Sequence, residues 1–183
     1  MALPHAGEQP NLVEESDPVL PGDPANKLAF RDMYKEGLAK TDKEMMDDGR
    51  TQLQSGDIPI GSSISPVFYV RNKGGALQGA RLTITGTSLD QGIISEPQIL
   101  MTAYDTRNEV VTAPKTENKN GIVTWTVDAP HFDLNSEAQM RVAMNCKVSK
   151  AGSGAVIFTI SPISDPSKVL IRHADTIFIK QGH

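Results

Sequence analysis

Apolar and polar positions alternate most clearly between residues 121 and 160. Within 121–127, Val123, Trp125 and Val127 share one face of an extended chain, with Ile122, Thr124 and Thr126 on the other, as in a half-buried strand. Residues 138–148 repeat the pattern. Met140, Val142, Met144, Cys146 and Val148 fall on one face, while Gln139, Arg141, Ala143, Asn145 and Lys147 make the other mostly polar. A helix would scatter these apolar side chains around its cylinder. The run 155–160, Ala-Val-Ile-Phe-Thr-Ile, is almost continuously apolar and rich in β-branched and aromatic residues, which suits a short central strand. Three strands this close together predict an antiparallel meander.

The same grammar extends in both directions from about Ile58. Strands are expected around Val67-Phe68-Tyr69-Val70, over 81–86 through Leu82 and Ile84, over 99–104, at Val110-Val111, at 169–171 and at 176–179. Between them, Asp105-Thr106-Arg107-Asn108 reads as a turn, and Asn72-Lys73-Gly74-Gly75 and Asn118-Lys119-Asn120-Gly121 are turn sequences suited to positive φ. Eight or nine short strands at this spacing predict a mainly β protein, an antiparallel β-sandwich rather than a closed barrel or a parallel sheet.

Composition changes the picture at the N-terminus. Residues 1–57 hold 12 acidic and 6 basic side chains, against 10 and 12 in 58–183, so an acidic arm precedes a slightly basic sandwich. Five prolines and few large apolar residues in 1–24 predict a flexible tail. Asp23-Pro24 reads as a helix start, with Leu28, Ala29, Met33, Tyr34 and Leu38 forming an apolar stripe over 24–39. A second short helix is expected from the capping-box spacing of Thr41 and Glu44, carrying Met45 and Met46 and ending at Gly49. Such narrow stripes need a partner, either the parent domain or another subunit. Leu28, Met33, Tyr34, Leu38, Met45 and Met46 are therefore the candidate partner-binding residues.

The order Pro66-Val-Phe-Tyr-Val-Arg-Asn-Lys-Gly-Gly-Ala76, then Ala80-Arg-Leu-Thr-Ile-Thr85, Gly121-Ile-Val-Thr-Trp-Thr-Val127, 138–148 and 154–160 resembles the immunoglobulin-like repeat domains of bacterial and archaeal surface proteins. The resemblance implies an immunoglobulin-like sandwich, with the partly helical arm in front. A single copy behind an acidic arm departs from the repeat pattern and favours a component that docks as one unit rather than a cell-wall stalk.

Candidate chemistry is sparse. Asp128, His131 and Asp133 could ligate a divalent ion from an inter-strand loop, and His173 with Asp175 forms a similar pair, but neither shows a full ligand set. The glycines at 74, 75, 79, 152 and 154 lack phosphate-loop context, and no Gly-x-Ser-x-Gly elbow is present. The lone Cys146 reads as a small buried hydrophobe, and there is no Asn-x-Ser/Thr sequon. A formal net charge of −4 argues against direct nucleic-acid binding, and no window has the length of a membrane span. The first residues lack a secretory-signal pattern.

These features predict a non-catalytic structural protein without cofactor or metal. Its expected setting is a virion or other extracellular assembly, as a capsid-associated or decoration component. Its partners would be protein subunits, reached through the arm in a homo-oligomer or on a particle. The alternative is a cell-surface immunoglobulin-like module that binds carbohydrate or protein through its loops.

Overall fold

The computed structural model describes residues 9–15, 59–179 and the backbone of 51–55. Two sheets face each other. The first runs β1(Leu12–Glu15), β4(Val67–Asn72), β10(Gln139–Val148), β6(Ile94–Ala103), β7(Glu109–Thr112), with β3(Ser63–Ile64) also on β10. The second runs β2(Thr51–Ser55), β12(Ile171–Ile179), β11(Gly152–Pro162), β5(Leu77–Thr85), β9(Ile122–Leu134), β8(Lys115–Lys119). All pairings are antiparallel except β2 on β12. The protein is an immunoglobulin-like antiparallel β-sandwich.

Alternation explains the layers. Met140, Val142, Met144, Cys146 and Val148 of β10 are all fully buried, facing Leu82, Ile84, Val156, Phe158 and Ile160 from the second sheet in one continuous core. In β9, Trp125 and Val127 point inward while Ile122 stays 61% exposed. Asn120 and Gly121 join β8 to β9 at positive φ as expected, Gly74 and Gly75 do not take it, and Arg107 adopts it between β6 and β7.

The meander expected over 121–160 does not form. Strands β9 and β11 lie in the second sheet and β10 in the first, so consecutive strands cross between layers. Alternation shows which face of a strand is buried, but an inward face serves either layer equally well. A second correction concerns Asp128 to Asp133, expected as a loop. Strand β9 runs straight through it. Pro130 is accommodated because the β5–β9 register shifts between Gln78 and Ala80, a bulge at which Gly79 adopts φ 78° and no ladder donor is required. The segments expected at 169–171 and 176–179 prove to be one strand, β12.

A short helix absent from the sequence reading, α1(Thr87–Asp90), turns the chain from β5 to β6. Gly86 opens it at φ 135°, where any Cβ would strike the backbone of Ala155. Thr87 and Ser88 then bind the two backbone groups of Ala155, accepting from its N–H at 2.9 Å and donating to its C=O at 2.7 Å.

Candidate interaction surface

The most elaborate polar construction among the described residues lies at the β1 edge of the first sheet. Leu12, Val13, Glu14 and Glu15 pair with Asn72, Arg71, Val70 and Tyr69. Beyond β1 the ladder continues, with Lys73 N–H donating to Asn11 C=O at 2.7 Å and Gly75 N–H to Gln9 C=O at 3.0 Å. Residues 9–15, which the sequence places in a flexible tail, are thus an edge strand and its lead-in.

Asn72 organises this edge. It is fully buried, and its Oδ1 accepts from Asn11 N–H at 3.1 Å and Gly74 N–H at 3.0 Å. Its Nδ2 donates to Gly75 C=O at 2.8 Å and Leu134 C=O at 3.0 Å, so one amide satisfies four backbone groups. Gly74 is required because a Cβ there would collide with the backbone of Gln9 and Asn11. The sequence reading assigned these residues to a turn, and they also receive the N-terminal segment.

Side chains complete the seat. Leu12, 5% exposed, joins the core. Glu15 Oε1 accepts from Arg71 Nε at 2.9 Å and Gln139 Nε2 at 2.8 Å. Gln9 Oε1 accepts from Lys168 Nζ at 3.2 Å. Glu14 meets the Nδ1 of His173, whose Nε2 lies 2.7 Å from Asp175 Oδ1. Because Glu14 belongs to β1 and His173 to β12, this cluster ties the two layers together.

His173 is buried and stacked on Phe68, with ring centroids 4.4 Å apart and planes 11° from parallel, and Phe158 tilts against both rings. Burial by itself lowers the imidazole pKa; the hydrogen bonds and charges of Asp175 and Glu14 outweigh it and raise the value to about 9. The ring is therefore a cation at neutral pH, held between two carboxylates and against an aromatic face. The carboxylates bind opposite ring nitrogens, so they do not converge on a common point as metal ligands would.

The other expected sites fare differently. Leu28, Met33, Tyr34, Leu38, Met45 and Met46, with their two helices, lie outside the described residues. Asp128 pairs with Arg81 at 2.6 Å, and Asp133 accepts from Gly79 N–H at 3.2 Å. The exposed His131 gives its carbonyl to Asn108. The His173 pair belongs to a different cluster. No group of three or more His, Cys, Asp or Glu among the described residues could hold a metal ion. Cys146 is buried, its thiol pushed up to about 12 by desolvation. None of the described helices is long and apolar enough to cross a membrane.

No protein-family model matches the chain, and no curated protein matches it. Solved structures of similar fold include AvmM, which catalyses macrocyclization in alchivemycin A biosynthesis, at 8% identity over 71% of this chain and 92% of that one, TM-score 0.42. The partial N-terminal region of enterococcal surface protein is 12% identical over 66% and 38% of the two chains, TM-score 0.41. A structure concerned with adhesion by fimbriae of Streptococcus parasanguinis is 11% identical over 58% and 56%, TM-score 0.33. The fold neighbours thus include bacterial surface domains as well as an enzyme. Function is therefore argued from the residues of this chain.

Proposed function

We propose that the protein is a non-catalytic interaction module of a cell-surface or other extracellular assembly. In this reading the sandwich is displayed, and residues 1–57, which lend β1 and β2 to its sheets, form the attachment arm. The stripe Leu28, Met33, Tyr34, Leu38, with Met45 and Met46, contacts neighbouring protein subunits. The observation that carries the reading is the edge seat along β4. Asn72, Gly74, Arg71, Gln139, Lys168 and His173 all engage a short strand drawn from the arm. This is recognition of an extended segment by an exposed sheet edge, a recurrent mode of protein–protein attachment.

A surface setting is preferred to the capsid-decoration role expected from the sequence, which gains no support from the fold or from the comparisons. The test is light scattering on the full chain, concentrated up to roughly the millimolar effective concentration of a tethered strand. Reversible growth of the mean mass is expected. A strict monomer throughout that range would overturn the reading.

A further inference from the structure

We propose that the groove along β4 is a strand-acceptor site whose occupant in the assembly is residues 9–15 of a second copy of this chain. The proposal rests on the reading of the protein as a self-associating module and specifies how the contact is made.

The first ground is connectivity. Residues 9–15 are held by β4, β10, β12 and Lys168, none of which is adjacent to them in sequence. Their link to the sandwich runs through positions 16–50, which can reach on the order of 100 Å when extended, against a radius of gyration of about 16 Å for a compact chain of this length. The contacts of the seat are the same for its own strand and for a neighbour's.

The second ground is charge. The donor presents Glu14 and Glu15, with Glu8 and Asp17 flanking in sequence, and the acceptor meets them with Arg71, Lys168 and His173, while Lys73 is paired with Glu137 and His173 also with Asp175. The same asymmetry holds for the whole chain, with an acidic arm ahead of a basic sandwich. Each copy carries a formal net charge of −4, so the attraction is local, between the acidic donor strand of one copy and the cations of another copy's seat.

The third ground is the way the strand is held. Only Leu12 enters the core deeply, and Val13 remains 43% exposed. The remaining hold is the backbone ladder, the Asn72 amide and ion pairs, contacts that re-form identically when one donor replaces another. An empty acceptor would expose the unpaired edge of β4, so the site favours an occupant from either source. In solution the chain's own strand competes at its effective concentration. When copies are crowded on a surface, the exchanged arrangement links them.

A charge swap tests this. Glu15→Arg places two cations in the chain's own seat, and Arg71→Glu places two anions there. Each variant alone gains nothing by exchange, because its own seat and a neighbour's are equally mismatched. Mixed in equal amounts at millimolar-range concentration, they can exchange strands so that one seat holds an Arg–Glu pair of reversed polarity and the other the native pair. Native mass spectrometry with one variant isotope-labelled should show heterodimers exceeding either homodimer by about tenfold, the ratio for one decade in equilibrium constant. The double variant Glu15→Arg/Arg71→Glu should associate as the native chain does, which also controls for folding. If the native chain associates but the mixture shows no preference for heterodimers, strand exchange is wrong while self-association stands. If the native chain does not associate at all, the functional reading fails with it.

Discussion

Strand β10 and strand β1 belong to the same sheet, yet different physics holds each in place. Five consecutive inward positions of β10 are apolar and fully buried, so the strand is fixed by removal of surface from water and needs no particular partner at any one position. Strand β1 has a single apolar anchor, Leu12, and at the next position on that side the partly exposed Glu14 meets the buried His173. The core strand is thus tolerant of partner and indifferent to pH, whereas the edge strand is selective and titratable. Selectivity of that kind suits a strand that must recognise a seat.

Substitution in the core should have the largest effect. Met144→Ala is expected to cost about 3 kcal/mol of global stability, the usual range for deleting a buried large apolar side chain. Urea unfolding followed by tryptophan fluorescence measures it. A loss confined to β1 would break the contrast between the two regions.

The edge should dominate the dependence on pH. The folded pKa of His173, about 9, lies above its ordinary 6.5. Its contribution is therefore complete below about pH 6.5 and is lost as pH rises through about 9. At about 1.4 kcal/mol per unit, the fall amounts to some 3 kcal/mol at most. His173→Gln should flatten the stability profile over that window. An unchanged slope in the variant would show that another group titrates.

Asn72→Ala removes one amide from four backbone partners and should cost about 2 kcal/mol, concentrated at the junction of residues 9–12 with β4. Amide exchange would locate the loss, and Met144→Ala serves as its opposite. The smallest effect concerns Cys146. Buried and with its thiol raised to about 12, it should react with a thiol reagent only as fast as the protein unfolds globally. Fast labelling under native conditions would mean that β10 opens locally.

The same contrast explains what the sequence disclosed. Alternation in 138–148 marked the buried face of β10 position by position, because hydrophobic burial is written in residue type. Layer assignment was not legible, since β9, β10 and β11 carry similar inward faces while occupying alternate sheets. The β1 edge was hidden for another reason. Glu14 and His173 stand 159 positions apart, and each looks like an ordinary polar residue until the fold brings them together. Asn72 and Gly74 were visible only as a turn, and their second task of receiving residues 9–11 depends on a segment whose composition suggests disorder. Residues 128–133 were expected as a loop, and β9 runs through them past a bulge at Gly79.

The most direct test of this contrast is the protection of single backbone amides against hydrogen exchange. Lys73 and Gly75 donate to Asn11 and Gln9, so they report the seat, while Met144 and Val148, which donate to Pro66 and Ser62, report β10. The expected result is that Lys73 and Gly75 exchange through a local opening well below the global unfolding free energy, and that Glu14→Gln lowers their protection while leaving Met144 and Val148 unchanged. Equal protection at all four amides, or a joint response to Glu14→Gln, would contradict the claim that β1 is a separately held, exchangeable strand.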